Sequence, residues 1–326
     1  GRLSLVIVTG LLLLIFCGGL ALSVGSTSIP FGDLLNALTG KSTDPTLSLV
    51  VWELRIPRIL LAGLTGAALS LAGLTFQSLL RNPLADPYIV GTSSGAGLGA
   101  AIAIVLGLSG WPVSGLAFVG ALGAVMAVYS LARVEGALPM HTFLLAGVVV
   151  SAFLGSMVSL VLTLSRQDLP KIVFWLMGNL SAARWETLKP LVPLLALGTV
   201  GLFMQSLNLN LLALGEDQAA HLGVEVEPSK RWLLLLASLL TASAVAAGGL
   251  IGFVGLVVPH AARRLLGSDH RLLIPAAGLL GASFLVLADA VSRLLLPAGE
   301  LPVGIVTSLV GAPFFLYLLK QQRGRR

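Results

Sequence analysis

The chain has 326 residues, 56% of them hydrophobic and only 10% charged, whereas a soluble domain carries about 25% charged residues. Mean hydropathy is +0.98; a fold of this length cannot hide so much apolar surface from water, so lipid is the expected solvent. The 20 Lys and Arg form no basic domain and no nucleic-acid signature, which excludes DNA or RNA as the expected partner; basic residues that orient membrane spans account for the excess.

Crossing a bilayer takes about 20 apolar residues. Runs of that kind fall at 3–24, 57–80, 88–108, 112–133, 142–164, 188–207, 272–296 and 303–319. The first run is longer than a signal-peptide core and is read as a retained span. It holds the lone cysteine, Cys17, and one thiol makes neither a disulfide framework nor a zinc site. The stretch 231–258 is nearly uncharged. At 1.5 Å per residue it is about 42 Å of helix, too long for one untilted span. The pair Gly248-Gly249 breaks it, because glycine pairs are a cause of helix breaks. A span at 231–247 and a short helix at 250–262 follow. The expected fold is therefore all-α and polytopic, with about ten transmembrane helices, one of them the short helix after Gly248-Gly249, in a single domain over 1–326.

Ten segments put both termini on one side. That side then carries 12 of the 20 basic residues and the other side 8, so the first is expected to be cytoplasmic. Three loops have enough residues to act. Residues 25–56 and 165–187 lie outside on this reading, and 208–230 lie inside. Within 165–187, the apolar patch 172–177 is too short to span and is expected along the interface.

Several chemical look-alikes do not survive inspection. Gly40-Lys41-Ser42 resembles the end of a phosphate loop, but the glycine needed five residues earlier is Leu35. Gly95-Ala-Gly97-Leu-Gly99 fits a loose dinucleotide fingerprint, yet no strand precedes it. Gly91, Gly95 and Gly99 are better read as a close-packing helix face. His141, His221, His260 and His270 show no ligand spacing, so no metal site is expected. Asp289 is the one carboxylate well inside a span, and an intramembrane acid is a candidate for a proton relay. Arg293 lies four residues further on the same helical face, and a local ion pair is the preferred reading. A proton-coupled carrier built on Asp289 is the alternative function.

Three signals remain. Glu53-Leu-Arg55-Ile-Pro57-Arg58 opens the second span at its outer mouth, where two arginines work against the positive-inside rule. Phospholipid headgroups or a carboxylate on a partner protein would meet them, and Arg293 could join. Arg81-Asn-Pro-Leu-Ala-Asp-Pro87 is a turn bracketed by two prolines that cannot continue a helix. It is either a simple turn or a rigid lip of a pathway. In Leu212-Ala-Leu-Gly-Glu-Asp-Gln-Ala-Ala-His-Leu-Gly223, Glu216 and Asp217 suit the first turn of a short helix and Gly223 its end. That helix is a connector or a docking element.

These signals, in this order, resemble the FecCD/BtuC family of type II ABC importer permeases. The resemblance continues through Phe174-Trp-Leu-Met-Gly178, Gly252-Phe-Val-Gly-Leu-Val-Val-Pro-His260, Asp269-His-Arg271, Ala288-Asp289, Glu300-Leu-Pro-Val-Gly304 and Gly311-Ala-Pro313. It implies a permease subunit with no nucleotide site of its own. The subunit would import an iron–siderophore, haem or cobalamin as a homodimer in a bacterial inner membrane. Its partners would be two ATP-binding subunits, which use ATP and Mg, and a periplasmic substrate-binding protein. By position, Arg55, Arg58 and Arg293 match the residues that receive the binding protein. Leu214, Gly215, Glu216, Asp217, Gln218, Ala219, Ala220, His221, Leu222 and Gly223, within the loop 208–230, match the helices that couple to the ATPase. Asn82 and Leu84 match a cytoplasmic constriction. Met140, His141 and Thr142 stand where a second gate uses hydroxyl residues in the cobalamin member, so gate chemistry differs and the substrate stays open. No cofactor and no metal are expected on this chain.

Overall fold

The computed structural model describes residues 1–25, 29–41, 44–296 and 299–323. Ser42 of the phosphate-loop look-alike and Arg325 and Arg326 of the basic tail lie outside them. The described chain forms α1 (Arg2–Ser23), α2 (Phe31–Leu38), α3 (Pro45–Leu49), α4 (Ile56–Leu79), α5 (Thr92–Val105), α6 (Trp111–Ala132), α7 (Met140–Leu164) and α8 (Leu169–Leu176). It continues through α9 (Trp185–Met204), α10 (Ser206–Leu212), α11 (Glu216–His221), α12 (Val226–Gly248), α13 (Val254–Leu266), α14 (His270–Ser292) and α15 (Val303–Arg323). A π-helical segment, Val50–Arg55, fuses α3 and α4, and a 3-10 turn, Pro87–Val90, leads into α5.

Each of the ten expected segments contains one helix. Seven helices among the described residues are long and apolar enough to cross a membrane, while Thr92–Val105 and Val303–Tyr317 are shorter apolar helices and α13 is the tenth. The protein is a multi-pass helical membrane protein. Two helix starts shift. The short helix starts at Val254 rather than at 250, because Gly249 and Phe253 both take positive φ, +72° and +67°, and keep 249–253 out of a helix. The third span starts at Thr92, since residues 87–90 form the 3-10 turn and Gly91 turns the chain at φ +82°. The patch 172–177 buries one face and exposes Phe174 and Met177 on the other. It falls mostly in α8, where Ile172 is fully buried and Trp175 packs against the cluster of Ala96, Ala242 and Val245.

Backbones touch where helices cross, and glycine makes this possible. A Cβ on Gly95 would lie 2.3 Å from the Gly120 carbonyl, and one on Gly99 would lie 2.2 Å from that of Leu116. The predicted packing face therefore joins α5 to α6. In lipid there is no hydrophobic drive between helices, so close van der Waals contact holds such a pair. α4 is the most enclosed long span and forms the axis of the bundle.

Candidate functional site

Charged and polar side chains concentrate at the two ends of the bundle. At one end, α1 finishes beside the start of α4 and the end of α14. The π-turn delivers Arg55 and, one turn later, Arg58. The Arg58 guanidinium grips Asp289, with Nε 3.0 Å from both carboxylate oxygens and Nη2 2.9 Å from Oδ1. Its Nη1 donates to Glu300 Oε2 at 2.7 Å. Arg293 approaches the second Asp289 oxygen at 3.3 Å and donates to the carbonyls of Val24 at 2.9 Å and Ala21 at 3.1 Å. Arg55 donates to the carbonyl of Leu22. These carbonyls belong to the last turn of α1 and the residue beyond it, the unsatisfied, negative end of a helix where cations are favoured. Gly25 leaves room for this, since a Cβ there would lie 2.9 Å from an Arg55 nitrogen.

The structure thus brings Arg55, Arg58 and Arg293 together, as expected, but turns them inward; they are only 6, 9 and 7% exposed. Asp289 is 1% exposed, and its ion pair with Arg293 is present. Its stronger partner, Arg58, is 231 residues away in sequence and could not be read from helical spacing. Glu300 was likewise missed as a partner. Its side chain is 36% exposed, and it is the cluster's route to water.

At the opposite end, α11 is the short helix expected between 208 and 230, and α10, which the sequence reading did not foresee, leads into it. Glu216 and Asp217 open α11, and Gly223, at φ +86°, follows it. Ala219 is its buried anchor. Around that anchor Leu214, Asp217, Gln218, Ala220, His221 and Leu222 are exposed. Beneath them sits Lys230 of α12, whose side chain is buried. Its Nζ meets Glu216 Oε2 at 2.8 Å, Glu227 Oε1 at 2.6 Å and the Leu138 carbonyl at 2.9 Å. The Glu216 and Leu138 contacts are hydrogen bonds, and the Glu227 contact is an ion pair.

Beside it runs a second polar network, with His270, Ser78 and Gln77 buried and Asp269 exposed. Asn210 of α10 accepts from the His270 backbone N–H at 2.9 Å and from Nδ1 at 2.7 Å. Its amide nitrogen donates to Asp269 Oδ1 at 2.9 Å, which fixes the amide's orientation. His270 Nε2 lies 2.6 Å from Ser78 Oγ, whose one proton faces both that nitrogen and the Leu74 carbonyl at 2.8 Å. Arg263 reaches Ser78 Oγ at 3.0 Å and Gln77 Oε1 at 2.6 Å. Asp269, just outside the span, is held below the usual carboxylate range by the Asn210 amide and then by the Arg271 N–H.

The predicted gate residues lie at this same end. Asn82 and Leu84 are exposed in the turn after α4, where Asn82 Oδ1 accepts from the Leu84 N–H at 2.9 Å. Met140, His141 and Thr142 form the first turn of α7, with His141 exposed and the other two half-buried. Sequence reasoning missed Lys230, which counted only as one more basic residue, and missed Asn210, Ser78 and Arg263. The Glu227–Lys230 spacing of three was the one available signal. Among the described residues no group of three His, Cys, Asp or Glu could hold a metal ion. A cleft of about 400 Å³ opens between the end of α8, residues 250–252 and the start of α15. Its walls are mostly Leu, Ile and Gly, with Ser308 the hydroxyl among them.

A polytopic helical bundle with an exposed short-helix pair at one end has the form of a transporter's membrane subunit. A model of the FecCD transport family matches residues 12–321. The chain is 45% identical over 281 residues to the cobalamin import system permease protein BtuC of Halobacterium salinarum, covering 86% of this chain and 76% of that one. It is 40% identical over 323 residues to the hemin transport system permease protein HmuU of Yersinia pestis, covering 97% and 95%. A solved ABC transporter described as of metal-chelate type, in an inward-facing conformation, superimposes with a TM-score of 0.86 at 34% identity, covering 97% and 98%. The chain belongs to the FecCD transport family. It is a transmembrane permease subunit rather than an enzyme, and ATP hydrolysis belongs to a separate subunit.

Proposed function

We propose that this chain is the permease subunit of an ATP-driven importer that moves a large metal-chelate-type substrate from a periplasmic binding protein to the cytoplasm. An iron–siderophore, haem or cobalamin would fit that class. Two copies would line the path, two ATPase subunits with ATP and Mg would drive it, and a bacterial inner membrane would hold it with both termini cytoplasmic. The observation that carries this reading is α11: a six-residue helix anchored by Ala219 that turns Leu214 and Leu222 to the outside among polar neighbours. Exposed leucines flanking a short, well-anchored helix are what a groove on a partner would accept. Positive-inside accounting places the same end in the cytoplasm. The mostly apolar walls of the cleft suit a path that a bulky ligand must leave as readily as it enters.

At the other end, docking of the binding protein is a proposal about Arg55, Arg58 and Arg293. Their inward pairing sets a condition: a partner's carboxylate would reach Arg58 by displacing Glu300. The proton-carrier alternative finds little support, because Asp289 is sealed between two guanidiniums. Reconstitution with and without the ATPase separates the readings. Uptake is expected to require both ATP and the ATPase, and Leu222→Asp is expected to abolish ATPase co-purification while the permease stays folded. Uptake by the permease alone, driven by a proton gradient, overturns the proposal.

A further inference from the structure

The two polar networks at the α11 end start at the two short helices and finish at different places. Lys230 joins Glu216, the first residue of α11, to the carbonyl of Leu138, two residues before α7 begins. Glu227 completes the hold by accepting the Leu138 N–H at 3.0 Å, and Arg231 fastens the Gly136 carbonyl at 2.7 Å. This first link therefore ends on the lip formed by Met140, His141 and Thr142. The second runs from Asn210 of α10 through His270 to Ser78 and, by way of Arg263, to Gln77 in the last turn of α4. The Gln77 carbonyl accepts the Asn82 N–H at 3.1 Å. A side chain added at Gly215, just before α11, would touch the Arg81 guanidinium at 3.4 Å. This second link ends on the lip formed by Asn82 and Leu84.

From this division we infer that Lys230 and Asn210 are positioning residues that carry motion of the short-helix pair separately to the two lips. The inference rests on the docking and gate assignments proposed above. Physically, it is the buried ammonium that needs these acceptors, because each bond it loses leaves a desolvated charge less well paired, while the acids can turn to water. The short helix cannot move without either moving Leu138 or breaking the link. Nor is Lys230 needed merely as packing. An apolar residue of similar volume fills buried space without the cost of dehydrating a charge, and both acids it binds reach water, Glu216 at 41% and Glu227 at 28% side-chain exposure.

The test uses the full permease with its ATPase in lipid nanodiscs and a Cys17→Ala background. A single reporter thiol is placed by His141→Cys or, separately, by Leu84→Cys. The rate of labelling by a water-soluble maleimide is measured with and without a non-hydrolysable ATP analogue. In the parent, the analogue is expected to change both rates by roughly 5- to 10-fold, the usual size of a coupling between sites. Lys230→Met should remove the change at the His141 reporter and spare that at Leu84, and Lys230→Arg should restore much of it. Asn210→Ala should do the reverse. A Lys230→Met protein that keeps the full response at His141, or variants that weaken both reporters equally, would overturn the inference and leave these networks as general packing. A parent complex in which the analogue moves neither reporter instead overturns the docking and gate assignments, and the links lose their role with them.

Discussion

The two ends of the bundle use similar chemistry to opposite purpose. At the Arg58 end, three guanidiniums and two carboxylates face each other and the end of α1, and little of the charge reaches water. At the α11 end, buried polar groups lie under a short helix whose outer side is left uncovered. The first arrangement is a staple: its members span α1, α4 and α14, and removing one strands another. The second is more open, since its acids reach water and the one buried residue of its helix is small, Ala219. Charge in a membrane protein is thus informative by where it points rather than by where it falls in the chain. Arg55 and Arg58 look available in sequence and are enclosed. Lys230 looks like an ordinary loop lysine and is buried.

Substitutions at the two ends should differ in cost. Asp289→Ala should have the largest effect, because it strands Arg58 and Arg293 in a buried site; breaking such a pair costs about 3–5 kcal/mol. A large fall in thermal stability in detergent is expected. A small one means that the cluster is wetter than its geometry implies. Lys230→Met removes a buried partner too, but Glu216 and Glu227 turn to solvent, so a loss of only about 1–3 kcal/mol is expected. If it matched Asp289→Ala, the two ends would be equivalent staples. Glu300→Gln touches a partly exposed pair and should cost under about 1 kcal/mol in stability. Its informative readout is binding-protein affinity, which should rise if Glu300 competes for Arg58. The smallest effect concerns pH. The Asp269 carboxylate is depressed in the folded chain, so its contribution is present above the unfolded value near 3.9 and fades as pH falls through the folded value. Hydrogen exchange at the start of α14 should therefore quicken only in that acidic range, and Asp269→Asn should remove this dependence.

Much of the local structure was legible. Gly248-Gly249 marked the break before α13, and the spacing of Gly95 and Gly99 marked the α5–α6 contact. Glu216, Asp217 and Gly223 bracketed α11 closely. The residues between 87 and 91 were not legible as a separate turn, because their apolar character continues that of α5. The loop 25–56 carries α2, α3 and the π-turn; residues 45–55 continue the apolar helix of the second span, whose start hydropathy puts at Pro57.

Hydropathy and charge by themselves determined that this chain crosses a membrane many times, through about ten helices, because each span must satisfy its own backbone in lipid and so must be long, apolar and helical. Short motifs at the two ends singled out the residues worth watching. Only the tertiary structure decided what those residues face. Arg58 meets Asp289 across 231 residues of chain, and Lys230 meets Leu138 across 92. Pairings of that kind follow from how helices pack, which local periodicity does not encode. The same packing turned the expected outer ring of arginines into an internal staple, and left at the other end two short helices, α10 and α11, each tied by its own polar link to a place where a path would open.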